Sequence, residues 1–277
     1  MIGASAILFR RNFPGLATYQ LLTPSPTTPY ASPHPILAAP RVRQAIAHCT
    51  NRRQLIQSVY PWLEDTTPFE MHSFLPATHW AYSEDESLLI SYSFDPEKGA
   101  SLLEQAGWTL APCAGAGSGQ ELNLILTYTS SELRDAWTAV FENQMRSCGI
   151  RIVHNRVPYE ERKAAMSQHN FDLVAYPWHS FSDPNGRTLF RCDQIPSPEN
   201  AWQGENYAGW CNPIADQATR AATSSLSREA QRAAYRTIQE EYRRDLPGLP
   251  LFSRVDIYAS NPALTGFNPD ATEGIYT

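Results

Sequence analysis

From Leu122 to Tyr128 apolar and polar residues alternate, whereas Leu133, Ala136, Trp137, Val140, Phe141 and Cys148 recur three or four positions apart. A period of two predicts a strand and a period near 3.6 predicts a helix. The helix is expected to open at Ser130, whose hydroxyl can accept from a free first-turn N–H, and to stop at Gly149. Ile150 to Val157 then reads as a strand, Pro158 to Ser167 as a helix and Phe171 to Tyr176 as another strand. The resulting β-α-β-α-β alternation predicts an α/β sheet with crossover helices.

The flanking segments follow the same logic. Val42, Ala45, Ile46 and Cys49 share a face, and the pattern continues through Leu55, Ile56 and Val59, so one helix is expected after Pro40. Asp95-Pro96 and Asn212-Pro213 each pair a capping side chain with a proline tolerated at the first helical position. They predict helices ending at Gly107 and near Ala222, and Ser227 opens a longer one to Asp245. Pro247-Gly248-Leu249-Pro250 reads as a lead into a strand from Leu251 to Ala259. At the other end, Ala4 to Phe9 and Ala17 to Leu22 are β-like. Thr23 to Pro40 is a proline-rich connection, Pro61 to Ser93 is irregular and Ala111 to Gly119 is a surface loop. No internal repeat is visible.

A chain of 277 residues with 42% hydrophobic content can build a sizeable core, and 22 prolines with 11% aromatics suit ordered turns rather than disorder. The net charge of -6, without a Lys/Arg run, excludes a phosphate-tracking stripe and argues for no nucleic acid. No stretch of about 18 apolar residues could span a bilayer. The apolar opening Met1 to Phe9 is followed rather than preceded by Arg10-Arg11, the wrong order for a secretory signal. Arg41, Arg43, Arg52 and Arg53 read as a solvated basic face without an assigned role.

The five cysteines lack metal-site spacing, so no metal is expected. Cys192 and Cys211 flank a loop that a disulfide would stabilise by about 3 kcal/mol; buried thiols are the alternative. Such a bond implies an oxidising compartment. The pairing of Cys49, Cys113 and Cys148 is left open. No nucleophile, paired carboxylate or phosphate loop has supporting context, so the chain reads as not an enzyme and without a cofactor.

Tyr176-Pro177-Trp178-His179-Ser180-Phe181-Ser182-Asp183 places aromatics and a carboxylate where a strand should end, and ligands of open α/β sheets bind at such ends. Trp178, His179 and Phe181 would be flat apolar walls, with simple packing as the alternative. His179 suits a wall or a hydrogen-bonding loop better than a metal. Tyr128 and Ser130 lie at a strand-to-helix turn whose N–H groups could face a ligand carboxylate, or only cap the helix.

Seven segments in register carry a resemblance. They are Pro40 to Ile46 with Asn51-Arg52, Phe94 to Ala100 with Leu102 to Trp108, Cys148 to Ile152, Phe171 to Leu173, Asn212-Pro213 with Asp216, Leu246-Pro247, and Leu249 to Phe252. Together these make the chain resemble the family 5 extracellular solute-binding proteins, which serve ABC importers of oligopeptides, dipeptides, nickel chelates and related solutes. Asn51 stands where the family has an acidic residue, a change expected to alter a local cap only.

The resemblance implies a periplasmic-binding-protein-like (type II) lobe, a mixed sheet flanked by helices. Family members are much longer, so the chain is expected to be the second lobe alone. Residues 1–40 would then be hinge-crossing strands and connection, 41–250 the ligand-binding lobe, and 251–277 a hinge-return strand and the start of the absent lobe. Asp183 lines up with the aspartate that anchors a peptide's α-ammonium; capping of the next helical turn is the bland alternative. The implied partners are a small peptide or similar solute, the missing N-terminal lobe and an ABC permease, in the periplasm or outside the cell. A ligand-sensing lobe of a regulatory protein is the rival, and a nickel chelate or oligosaccharide the rival solute.

Overall fold

Five strands form one sheet in the order β3-β2-β4-β1-β5: β1 (Ile2–Phe9), β2 (Leu122–Tyr128), β3 (Ile150–Arg156), β4 (Leu173–Ser180) and β5 (Gly248–Ser253). They belong to a computed structural model that describes residues 2–9, 34–108, 122–180, 184, 186–255, 261, 263, 265 and 266. β2 is parallel to β3 and to β4, whereas β1 is antiparallel to both β4 and β5. The sheet is therefore mixed, as the resemblance implies. The expected strand Ala17 to Leu22 and loop Ala111 to Gly119 lie outside the described residues.

Alternation decides which face of β2 is buried. Leu122, Leu124, Leu126 and Tyr128 are fully enclosed, while Ile125 and its β3 neighbour Val153 stay 45% and 42% exposed. Helix α4 (Glu132–Ser147) connects β2 to β3 and α5 (Tyr159–Ser167) connects β3 back past β2 to β4. Right-handed crossovers running in opposite directions put these helices on opposite faces. Trp137, Phe141 and Met145 of α4 are buried, and α5 buries Arg162 and Met166.

Several boundaries differ from those expected. The run after Pro40 is two helices, α1 (Pro40–His48) and α2 (Arg52–Val59), because Asn51 leaves the helical conformation and accepts from Gln54 N as the cap of α2. Ser131 rather than Ser130 caps α4, taking Arg134 N, while Ser130 Oγ donates to Asp135 Oδ2 at 2.7 Å. β5 begins at Gly248, three residues before the expected start. Its one-residue register shift between Ser5 and Ala6 is a bulge that leaves Leu251 unpaired with β1 and its O free to accept from Met71 N at 3.2 Å. β4 continues beyond Tyr176 to Ser180. Past Val174 it pairs only with β1, so Pro177 removes no donor from a second ladder. Helices α3 (Pro96–Gln105), α7 (Pro213–Ser224) and α8 (Arg228–Asp245) start at the expected caps Asp95, Asn212 and Ser227. A short helix, α6 (Gly186–Phe190), precedes α7.

Of the four arginines expected to form a solvated face, Arg41 and Arg53 are exposed while Arg43 and Arg52 are buried. Arg43 is fully buried and donates to Leu37 O, Ala38 O, Asp245 O and Leu246 O, tying the entry of α1 to the end of α8. Arg52 is buried too, with Nε donating to Pro250 O of β5, and burial pushes its pKa down to about 10. Backbone carbonyls take these donors in an apolar setting, although Arg52 Nη2 is buried without a hydrogen-bond partner. Arg53 alone of this pair reaches solvent, where it meets Glu70 at 3.0 Å.

Two disulfides cross-link the lobe. Cys192 bonds Cys211 at 2.08 Å, closing a loop in which Asn206 Nδ2 donates to Arg191 O and Trp210 O. Cys49 bonds Cys148 at 2.13 Å, joining the ends of α1 and α4 across 99 residues of sequence. Helix α3 passes over that bond at Gly99, where a Cβ would come 2.3 Å from Cys49 Sγ. Cys113 lies outside the described residues.

Cys148→Ser removes the cross-link between residues 49 and 148 and should lower the unfolding free energy by about 3–5 kcal/mol, read from urea unfolding under oxidising conditions. A second expectation concerns pH. Burial holds the His48 imidazole below its ordinary value of 6.5, against the opposing bond to Ser93 O. The unfolded chain then takes up the proton more readily than the folded one. The stability contributed by neutral His48 is complete above the unfolded pKa of about 6.5, declines as pH falls below it and is gone once pH has fallen through the lower folded-state pKa. His48→Asn should flatten this acid-side decline; an unchanged slope of unfolding midpoint against pH would refute the assignment.

Candidate functional site

Because β2, β3 and β4 are parallel, their carboxyl ends at Tyr128, Arg156 and Ser180 share one end of the sheet. Ile2 of β1 lies opposite Ser180, and Ser253 of β5 lies opposite Ala4, so β1 starts and β5 finishes at this same end. It is the end at which open α/β sheets hold ligands.

The residues expected to form the site are distributed unevenly over it. Tyr128 is fully buried, and its hydroxyl lies 2.9 Å from His154 Nδ1 while accepting from Arg156 Nε at 2.8 Å. His154 Nε2 is in turn 3.1 Å from Glu142 Oε2, and Arg156 pairs with Asp135 at 3.4 Å. Tyr128 therefore braces the end of β2 from below and offers no surface of its own. Ser130 is exposed and engaged with Asp135. The backbone of Trp178 and His179 lies in β4 opposite Ala4 and Gly3, so both belong to the strand rather than to a loop after it. Phe181 and Asp183 lie outside the described residues.

Three arginines carrying no sequence signal, Arg134, Arg162 and Arg254, lie toward this end. Arg134, in the first turn of α4, donates through Nη1 to Thr129 O at 3.0 Å and Thr129 Oγ1 at 2.7 Å. With Arg254, just past β5, it lines a cavity of about 30 Å³ that also touches Ser131, Leu133, Trp137 and Tyr176. Burial lowers the pKa of Arg134, and the charges of Arg162 and Arg254 lower it further. Arg162 is 4% exposed, donates to Ala175 O at 3.2 Å and lies 5.4 Å from the Tyr159 ring centre. Burial and neighbouring Tyr207 and Glu205 raise the Tyr176 phenol well above its ordinary pKa. No linear motif marks these arginines, because only the order of strands brings positions 134, 162 and 254 to one end.

A groove of about 520 Å³, larger than that cavity, lies at the first turn of α2 and is lined by Arg53, Glu70, His72 and Tyr92 among others. Of the expected ligand residues whose side chains are described, Tyr128 and Ser130, neither lines it. Among the described residues no cluster of His, Cys, Asp and Glu could hold a metal ion, and no helix is long and apolar enough to cross a membrane.

The profile of the bacterial extracellular solute-binding proteins, family 5 Middle, matches residues 10–192, about two thirds of the chain. The chain belongs to this family. It is 29% identical over 235 residues to the peptide transport periplasmic protein SapA of Salmonella typhimurium, covering 81% of this chain and 38% of SapA. To the di/tripeptide-binding protein 2 of Pseudomonas aeruginosa it is 26% identical over 233 residues, covering 82% of this chain and 40% of that protein. The chain thus spans about two fifths of the curated relatives it matches. Among solved structures it resembles the oligopeptide-binding protein AppA of Bacillus subtilis, in complex with a nonapeptide. The TM-score is 0.71 at 18% identity, over 99% of this chain and 49% of AppA. An oligopeptide-binding protein of Thermus thermophilus complexed with a pentapeptide gives a TM-score of 0.69 at 22% identity, over 91% of this chain and 41% of that one. These likenesses show the fold, a lobe of the type II periplasmic-binding-protein kind.

Tyr128→Phe deletes the hydroxyl shared by His154 and Arg156 and should cost about 1–2 kcal/mol of stability, measured by urea unfolding at neutral pH. A loss below about 0.5 kcal/mol would mean that solvent replaces these bonds freely.

Proposed function

We propose that this chain is one lobe of the substrate-binding component of an ABC importer, which closes with a second lobe over an oligopeptide or dipeptide-like solute. The single observation carrying this reading is the geometry of the sheet end: β1 starts and β5 finishes beside the carboxyl ends of β2 and β4. A second lobe joined through those strands would lie directly over the ligand end, so hinge closure would bury the solute between the lobes. The named relatives act in peptide transport and peptide binding, which supports a peptide as solute.

In this reading residues 1–40 and 251–277 carry the hinge-crossing connections and residues 41–250 the body of the lobe. Asp183 accepts a charge-assisted bond from the peptide's α-ammonium, and Trp178, His179 and Phe181 wall the side-chain space next to it. Tyr128 and Ser130 act beneath and beside the solute, through the turn that enters α4. The lobe performs no chemistry on the peptide. It presents the closed, loaded form to a permease, in the periplasm or at the outer face of the cell envelope.

Mass spectrometry of material co-purifying with the full-length protein is expected to show short peptides. In that protein Asp183→Ala should weaken peptide affinity by about ten- to a hundredfold, as loss of a bond to a charged group predicts. Unchanged calorimetric affinity would remove the ammonium-anchor role, and absence of any peptide would overturn the reading as a whole.

A further inference from the structure

We propose that the groove beside the first turn of α2 is a second binding site of the lobe, which takes a small carboxylic acid with an apolar body. The carboxylate sits at Arg52 and the free N–H groups of α2, and the body lies along Tyr92 and Phe94. The site stands apart from the ligand end of the sheet and does not depend on which solute that end holds.

Three observations converge on it. Arg52 lines the groove while only 5% exposed, and its Nε donates to Pro250 O whereas Nη2 is buried without a partner. A guanidinium left short of acceptors in an apolar setting costs free energy, and a carboxylate within reach of Nη2 would relieve that cost. Arg52 and Arg53 are also the first two residues of α2, so their backbone N–H groups have no intrahelical acceptor. The cap, Asn51, is neutral and takes only Gln54 N, and no acidic residue stands in that first turn, where the helix dipole favours negative charge. The third observation is the wall opposite, where Leu89 and Tyr92 are half-buried and Phe94 is 44% exposed. Apolar surface left open in a concavity beside a few polar groups is the usual make-up of a small-molecule site, and about 520 Å³ falls within the usual range of about 300–1,000 Å³.

The acidic neighbours select the charge of the ligand. Glu70 lines the groove and accepts from Arg53 Nε at 3.0 Å, and Glu86 lines it as an exposed carboxylate. Glu70 is thus engaged by Arg53, and burial pushes the pKa of Arg52 down to about 10 although Glu70 raises it. Two carboxylates in one groove leave room for a head with a single negative charge and repel a dianion such as a phosphate monoester. Position separates the site from the solute. Tyr92 also borders a smaller hollow with Arg243 and Arg244 in the last turn of α8, which ends just before β5 starts, whereas the ligand end is where β5 finishes. The groove shares no residue with the cavity of Arg134 and Arg254.

The test uses the chain itself, labelled with nitrogen-15, because the groove is built within this lobe. Phenylacetate, phenylacetamide and phenyl phosphate are titrated in turn. Phenylacetate is expected to shift the backbone N–H signals of Arg52 and Arg53 saturably, and the amide to bind about tenfold more weakly. Asn51→Asp keeps the cap of α2 but sets a negative charge beside the head. It should weaken phenylacetate binding about tenfold, leave the amide unchanged and not lower the midpoint of urea unfolding. Phe94→Ala, at an exposed position, should weaken acid and amide alike. Equal binding of acid and amide, no shift at Arg52 and Arg53, or an Asn51→Asp variant that binds phenylacetate as before would each overturn the site. Phenyl phosphate binding more tightly than phenylacetate would overturn the assignment to a singly charged acid.

Discussion

β1 is the constraint on which the sheet depends. It runs antiparallel between β4 and β5, and β5 joins the sheet through it. Residues 2–9 and 248–253, far apart in sequence, therefore set one another's register. A one-residue slip would exchange the faces on which Ala6 and Ile7 are buried, setting each side chain in the other's packing. The same pairing carries Arg254 to the end of β4, so the chemistry of that end follows from where an antiparallel strand was inserted. The bulge at Leu251 is part of the arrangement, since the carbonyl it releases holds the segment at Met71 against the edge of the sheet.

Around this sheet the helices are fixed as much by buried polar groups as by apolar contact. Apolar packing is non-directional, whereas a guanidinium must meet carbonyls in particular places. Arg43 reads the end of α8, where the exposed carbonyls and the negative end of the helix dipole both favour a cation. Gln239 works similarly within α8, taking Ser73 Oγ and Ser83 N and donating to Ala81 O, so that the irregular segment before Ser93 is held in one path. Between these polar contacts Phe74, Phe190, Trp210 and Tyr242 pack with ring centres 4.6–5.8 Å apart. They fill the space, while Arg43 and Gln239 set its registration.

Much of this architecture was legible in the sequence because local rules and the global fold agree at Asp95, Asn212 and Ser227, each of which caps a helix as its residue type predicts. The β2-α4-β3-α5-β4 core was legible from periodicity alone. What escaped depends on partners distant in sequence. Pro250 and Pro177 disguise strand residues, since proline signals a break unless one ladder is known to be absent. Arg43 and Arg52 read as surface because buried charge is rare without a reason that only the tertiary structure supplies. At the candidate site, the strand end and its aromatic run were visible, while Arg134, Arg162 and Arg254 were not. The link between Cys49 and Cys148 was invisible for the same cause, as both lie at helix ends that meet only after folding.

The neighbouring positions of Ala4 and Ser253 have a wider implication. Paired residues of antiparallel strands lie about 5 Å apart, so everything from β1 to β5 leaves its surroundings and returns to them at nearly one point. A unit with such an entrance and exit can be spliced into a loop of another globule without stretching either, much as domain insertions succeed where chain ends adjoin. The lobe is thus built as a cassette, and a host protein would need to supply only two adjacent connections to carry it.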